Sequence, residues 1–252
     1  MTERATVSGV VLALNAGDVI GDCLQSLDWA DQRVVLVDSG TTDATAALAE
    51  AAGADVHYRR FTTFAEQRNA ALDLVATDWI MFVDADERVT PALANEIRET
   101  LARHPQAVGF WVPRRNIIRG RWVKHAGWYP DRQLRLLKRG FARYPTDLPV
   151  HEVALLKGAA GGLRQPLIHL NYRSLSEFWS RQRRYARLAA RGMVQRGEKP
   201  RARAIIGQPA REFSRRYFGE SGYKEGRLGL ALCLMVAAGT FETYARTVLR
   251  RL

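Results

Sequence analysis

The chain has little cysteine, few long uninterrupted apolar runs and little acid to balance the basic residues of its C-terminal part. Its two cysteines, Cys23 and Cys233, are far apart and each has an apolar neighbour. That excludes a disulfide framework and a thiolate zinc motif, and it fits a reducing compartment. No secretory leader is expected: the apolar run after Arg4 spans only Val10–Leu14 and reads as a strand. The longest apolar stretch, Leu228–Phe241, has about 14 residues, short of the roughly 20 that a membrane-crossing helix needs. It is expected to lie in a membrane interface or in a core. No glycine- and lysine-rich loop follows the first strand, which argues against nucleotidyl transfer. No helix-turn-helix or RNA-binding signature accompanies the basic residues, which argues against a nucleic-acid-binding module.

What is present is the composition of a globular protein. The chain has 252 residues, 47% hydrophobic and 25% charged, enough for one large α/β domain with an appendage. The net charge of +12 is unevenly spread. Met1–Glu99 is acidic on balance, whereas Arg173–Leu252 is crowded with arginine. That asymmetry points to a polyanionic partner for the C-terminal part, such as an anionic membrane or a phosphorylated glycolipid.

The first hundred residues alternate two periods. Val7–Leu14, Arg33–Val37, Asp55–Tyr58 and Trp79–Val83 are β-branched and apolar, as buried strands are. Asp18–Leu27, Asp43–Ala52, Phe64–Val75 and Pro91–Arg103 have helical spacing, the last with Thr90 as N-cap and Pro91 at its first position. Such alternation predicts a mostly parallel sheet covered on both faces, with ligands bound beyond the carboxyl ends of the strands. Asn15, Asp38 and the pair Asp84/Asp86 fall at those ends. After Gly109 further strands are expected at Phe110–Pro113, Gln133–Lys138 and Leu163–Leu170. From Ser174 onward the chain reads as basic helices, broken around Gly197–Pro200 and Gly219–Gly222.

Three segments carry chemistry. In Phe82-Val83-Asp84-Ala85-Asp86-Glu87 a buried strand ends in three acids, a costly cluster unless a cation neutralises it. Mg²⁺ and Mn²⁺ suit such oxygen ligands and commonly share them with substrate phosphates. Asp38, before the small-residue turn Ser39-Gly40, is placed to accept hydrogen bonds from a base or ribose or to serve the turn, and Asp43 to cap the next helix. Arg68 and Asn69 are polar positions on an otherwise apolar helix, facing a nucleotide or solvent.

Together these segments resemble family 2 glycosyltransferases, which have the GT-A nucleotide-sugar-binding fold. The stretches TDWIMFVDADERVTP, RGRWVKHAGWYPDRQLRLLKRG and PVHE are similar to the lipopolysaccharide-core β-glucosyltransferase branch, so the resemblance covers nearly the whole chain. It implies a GT-A (Rossmann-like) α/β domain over residues 1–172 and a basic helical region over 173–252. It also implies that Ala13, Leu14 and Asn15 line the nucleotide pocket, that Asp38 meets base or ribose, and that Arg68 lies against the nucleotide. Asp84 approaches ribose or metal, and Asp86 binds Mn²⁺ or Mg²⁺. The family inverts the anomeric centre in one in-line displacement, so an acceptor-activating base is required. Relatives place it in a Glu-Asp pair, and this chain has none. Glu152 is the first choice, with His151 orienting it or binding metal, and Asp131 is the second. Trp122, His125, Trp128 and Tyr129 either stack on acceptor sugars, with Arg132 and Arg135 nearby for phosphate, or form an aromatic mini-core. The implied donor is a UDP-sugar, best UDP-glucose, and the implied acceptor is lipid-linked. Arg181, Arg183, Arg184, Arg187 and Arg191 beside Trp179, Tyr185 and Leu188 predict a helix on an anionic membrane surface, and hence a cytoplasmic enzyme peripheral to the inner face of the membrane.

Overall fold

A computed structural model of the chain describes residues 4–103, 105–146 and 153–249. The opening alternation is realised as β1 (Val7–Ala13), α1 (Ile20–Gln25), β2 (Gln32–Asp38), α2 (Thr45–Ala51), β3 (Asp55–Arg59), α3 (Phe64–Leu74) and β4 (Trp79–Asp84). Then come β5 (Glu87–Val89), α4 (Pro91–Ala102), β6 (Gly109–Ile118), β7 (Arg121–Trp122), β8 (Asp131–Lys138), β9 (Ala142–Arg143), β10 (Leu155–Leu156), β11 (Ala160–Gly162) and β12 (Leu167–Tyr172). Three helices close the chain: α5 (Leu175–Gln195), α6 (Ala204–Ser214) and α7 (Gly226–Leu249).

The main sheet runs β3-β2-β1-β4-β8-β6-β12-β5. Its first four strands are parallel, as the sequence pattern requires. The rest departs from it, because β8 runs antiparallel to β4 and β5 antiparallel to β12. The short β5, unforeseen in the sequence, follows β4 after a two-residue turn at Ala85-Asp86.

Strand alternation divides the core. Val11, Ala13, Val35, Val37, Met81 and Val83 pack with Ile20, Leu24, Leu93 and Ile97 of α1 and α4. Val10, Val34, Leu36, Ile80 and Phe82 pack on the other face with Ala65, Ala71 and Leu72 of α3. Every second residue thus faces one helical layer, and both layers are apolar because both are buried. Each fully buried Leu, Ile or Phe side chain contributes about 1.5–3 kcal/mol. α4 starts where expected: the Thr90 hydroxyl accepts the Leu93 N–H at 3.1 Å, and Pro91 opens the helix.

The chain forms two compact units, Met1–Arg114 with Arg132–His169, and Arg115–Asp131 with Leu170–Leu252. The sequence pattern put the boundary at residue 172. Instead the tryptophan-rich segment 115–131 packs with the helices. In the second unit Ile118, Val123, Tyr172, Phe178, Leu228 and Leu232 form a separate core. The Tyr172 and Phe178 rings meet edge to face at 4.8 Å, a favourable aromatic geometry. α5 begins on Ser174, whose hydroxyl accepts the Glu177 N–H while the Glu177 carboxylate accepts the Arg173 N–H. α7 packs along α5 and α6. It extends beyond the apolar run Leu228–Phe241 at both ends. Among the described residues the Gly222–Leu249 span is long and apolar enough to cross a bilayer by length and composition.

Candidate active site

The loops after β1, β2 and β3 are tied to one another at the carboxyl end of the parallel strands. Asn15 adopts φ +47°, and its Oδ1 accepts the Thr42 N–H at 2.9 Å. Asp38 Oδ1 accepts the N–H groups of Gly40 at 2.9 Å and Phe61 at 3.3 Å. Asp43 accepts the N–H groups of Gly17 and Thr45 and the Thr45 hydroxyl, tying the loop after β1 to the start of α2; the N-cap position itself is Ala44, not Asp43 as expected. These bonds, led by that from Thr45, hold its carboxyl below the usual aspartate range. Ala13 is buried and Leu14 exposed. Asn15 and Asp38 therefore shape a ledge with their backbone bonds, leaving Leu14 to face outward.

The acids that end β4 separate into two environments. Parity places Asp84 on the α3 side, with Ile80 and Phe82. There its oxygens accept two hydrogen bonds from the Arg135 guanidinium, one of them from Nη1 at 3.2 Å, and Arg68 Nη2 of α3 stands 3.8 Å away. Arg68 also lies over the Tyr144 ring at 5.3 Å. Glu87 is wholly buried. Its Oε1 accepts from Arg135 at 2.9 Å and Arg114 at 3.2 Å, and its Oε2 accepts the Asp84 N–H at 3.0 Å. Burial pushes the Asp84 carboxyl up, but Arg135, with Arg68 and Arg114, overrides it and holds the group well below the ordinary range. Burial alone would lower Arg135, yet Asp84 and Glu87 hold its guanidinium firmly protonated.

Two of the three acids are thus paired with arginine. Arg135, expected near phosphate, forms an interior ion pair with them. Asp84 has both oxygens engaged by a guanidinium and does not present an open carboxylate. Asp86 differs: its Oδ2 lies 3.5 Å from His169 Nε2. The antiparallel register of β12 on β5 sets His169 opposite Glu87, one residue along from Asp86. Among the described residues no group of three or more His, Cys, Asp or Glu side chains stands ready to hold a metal. A carboxylate and an imidazole fit a Mn²⁺ or Mg²⁺ that takes its remaining ligands from substrate phosphates and water.

Of the other expected residues, His151 and Glu152 lie outside the described residues. Arg132 Nη1 donates to the Leu163 carbonyl at 3.4 Å. In the second unit Asp131 Oδ2 accepts from Asn116 Nδ2 at 3.3 Å. His125 Nδ1 is 2.7 Å from Glu225 Oε1, which also accepts the Lys124 and His125 N–H groups. Trp128 packs on Phe178 and Tyr172, the mini-core alternative. The Trp122 ring meets Arg115 at 4.1 Å, Lys124 at 4.3 Å and the Tyr129 edge, so its π-face already holds cations.

Sequence reasoning missed His169 and Arg114. The signal was a charged or titratable residue inside an otherwise strand-like apolar run: Leu167-Ile168-His169-Leu170 and Phe110-Trp111-Val112-Pro113-Arg114. Such residues need buried partners.

Comparison with known proteins agrees with this arrangement of strands and loops. The Glycosyl transferase family 2 model matches residues 8–160. The lipopolysaccharide core biosynthesis glycosyltransferase LpsC of Rhizobium meliloti (strain 1021) is 31% identical over 97% of this chain and 95% of its own length. Among solved structures, the mannosyltransferase PcManGT of Pyrobaculum calidifontis, in complex with GDP-Man and Mn2+, is similar over 100% of this chain and 89% of its own, at TM-score 0.57 and 14% identity. S. aureus TarS 1-349 is similar over 97% and 90%, at TM-score 0.50 and 16% identity. These two bear on the fold alone, which is the expected GT-A α/β fold with a helical C-terminal region. The family match and the full-length relative go further: the chain is an enzyme belonging to glycosyl transferase family 2.

Proposed function

We propose that this enzyme is an inverting hexosyltransferase that moves glucose from UDP-glucose to a lipopolysaccharide-core or other lipid-linked glycan. The observation that carries this reading is the Asp86–His169 pair beside the arginine-neutralised Asp84, where the parallel strands end. The name of the LpsC relative supports the acceptor class, and the GDP-Man and Mn2+ of the mannosyltransferase support a metal-assisted nucleotide-sugar donor.

In this reading the ledge of Asn15 and Asp38 seats the nucleotide, with Ala13 and Leu14 beside it. Arg68 lies against the nucleotide, and Asp84 fixes Arg68 and Arg135 in place. Asp86 and His169 would hold Mn²⁺ or Mg²⁺, which would supply charge neutralisation for the departing diphosphate. The acceptor hydroxyl attacks the anomeric carbon as the bond to the diphosphate breaks on the opposite face. Its proton passes to Glu152, or to Asp131 as the second choice. The product is β-linked and the nucleoside diphosphate leaves.

The helical unit provides the membrane contact. On α5, Arg184 and Arg191 are exposed, as are Tyr185 and Leu188, and on α7 Leu230, Leu234 and Phe241 are exposed. Basic and apolar side chains presented together suit the cytoplasmic surface of an anionic bilayer.

The test is a panel of nucleotide-sugars offered to the full chain with and without Mn²⁺, reading released nucleoside diphosphate. UDP release from UDP-glucose that depends on metal is expected. Asp86→Ala should lower it by about three orders of magnitude, the scale of a lost charge partner in the transition state. Equal release without metal, an unaffected Asp86→Ala enzyme, or pyrophosphate as the product would refute the reading.

A further inference from the structure

The second unit contains a cavity of about 880 Å³ formed by the end of α5, the segment that follows it, α6 and Tyr244 of α7. Four cations line it: Lys199, Arg201, Arg203 and Arg211. The single acid on its wall, Glu198, is held by Arg196 at 2.7 Å. Among the described residues none of the four cations has an acidic partner, in contrast to Arg183, Arg187, Arg215, Arg216 and Arg246, which all stand beside glutamates.

Cations converging on a concave surface repel one another, and the concavity concentrates their field. An anion with several acceptor oxygens relieves that repulsion, and guanidinium forks suit phosphate in particular. The wall is not uniformly charged. Met193, Pro200 and Ala204 give it apolar surface, and Tyr244 adds a ring with a hydroxyl. An apolar wall with an aromatic ring accepts the body of a sugar, while the cations take its phosphate.

We propose that this cavity binds a phosphomonoester carried on a saccharide. The inference deepens the proposed function, and rests on it to the extent that the phosphorylated saccharide is part of the acceptor. The cavity is built wholly from the helical unit and uses none of the residues assigned to the donor.

Calorimetric titration of the full chain tests it with glucose 6-phosphate, inorganic phosphate and glucose, and with phosphatidylcholine vesicles containing phosphatidic acid. Glucose 6-phosphate is expected to bind more tightly than inorganic phosphate and to weaken with salt, and glucose should not bind. Each lost charge-assisted contact should weaken binding about tenfold, so Arg201→Gln with Arg211→Gln should lose about a hundredfold. Arg184→Gln, outside the cavity, should bind glucose 6-phosphate normally, and all variants should keep their affinity for UDP. If the double variant fails to fold by circular dichroism, Arg203→Gln alone carries the test, with a tenfold loss expected. Unchanged affinity in a folded cavity variant, displacement of glucose 6-phosphate by UDP, or binding confined to phosphatidic acid vesicles would overturn the proposal. Loss of metal-dependent UDP release with sugar-phosphate binding intact would sink the proposed function and leave this site standing.

Discussion

In the first unit Arg135 is buried and Arg114 half-buried against Glu87 and Asp84, whereas in the second Arg184, Arg191, Arg201 and Arg203 are exposed and, among the described residues, have no acid beside them. The same side chain has opposite physical consequences in the two places. A buried guanidinium is tolerated only when paired, and removing its partner leaves an uncompensated charge in a medium that solvates it poorly. An exposed one is solvated by water and contributes little to folding, but its charge is available to an anionic partner. The acidic first unit uses arginine to organise its own carboxylates, and the basic second unit presents arginine outward.

The largest effect should come from the interior pairs. Arg135→Met is expected to lower stability by about 3–5 kcal/mol, because Glu87 is fully buried and loses a strong donor. Chemical denaturation should show it, and a loss below about 1 kcal/mol would dissolve the contrast. Next, Phe178→Ala should cost about 3–5 kcal/mol, since the second unit is held by its aromatic core rather than by its arginines. A cost no larger than that of an arginine substitution on α5 would reverse this view.

Acid should separate the units more finely. Asp84 and Glu225 both have carboxyls held below their ordinary values. For Glu225 burial works against the shift, and the bonds from His125 and the backbone of Lys124 and His125 produce it. A depressed folded-state value means that the stabilisation is complete above the unfolded value and is lost as pH falls through the folded one. Stability should therefore be flat above about pH 5 and fall below the ordinary carboxylate range. Glu225→Gln should cost about 1.5–3 kcal/mol at neutral pH and flatten part of that acid limb. An acid limb identical to that of the parent protein would rule out the Glu225 contribution.

The smallest folding effect is expected from Arg184→Gln with Arg191→Gln, within about 0.5 kcal/mol of the parent. The same pair should weaken binding to anionic vesicles by about 1 kcal/mol per residue, read by flotation at low and high salt. Unchanged flotation would remove these two residues from the membrane surface.

Much of this was legible before the fold was known. The four parallel strands follow from apolar runs of strand length, and the Thr90 cap and Pro91 follow from local helix chemistry. Asn15, Asp38, Asp84 and Asp86 were placed at strand ends by pattern alone, since the ends of apolar runs are read locally. The fate of the acids was not legible. Asp84 and Glu87 are 51 and 48 residues from Arg135 along the chain. Nothing in a strand's period says which neighbour will lie beside it. The same holds for segment 115–131, whose aromatic composition reads as a cleft but whose Trp128 packs with Phe178, 50 residues on.

The sequence by itself determined the alternation of strand and helix, the positions of polar residues at strand ends and the excess of positive charge in the last eighty residues. These are properties of consecutive residues, set by side-chain period and composition. Only the tertiary structure decided which acids meet arginine, that His169 comes to Asp86, and that four cations share one cavity. Those depend on strand register and helix packing between distant segments, which are fixed by the cooperative burial of the whole core and not by any local stretch.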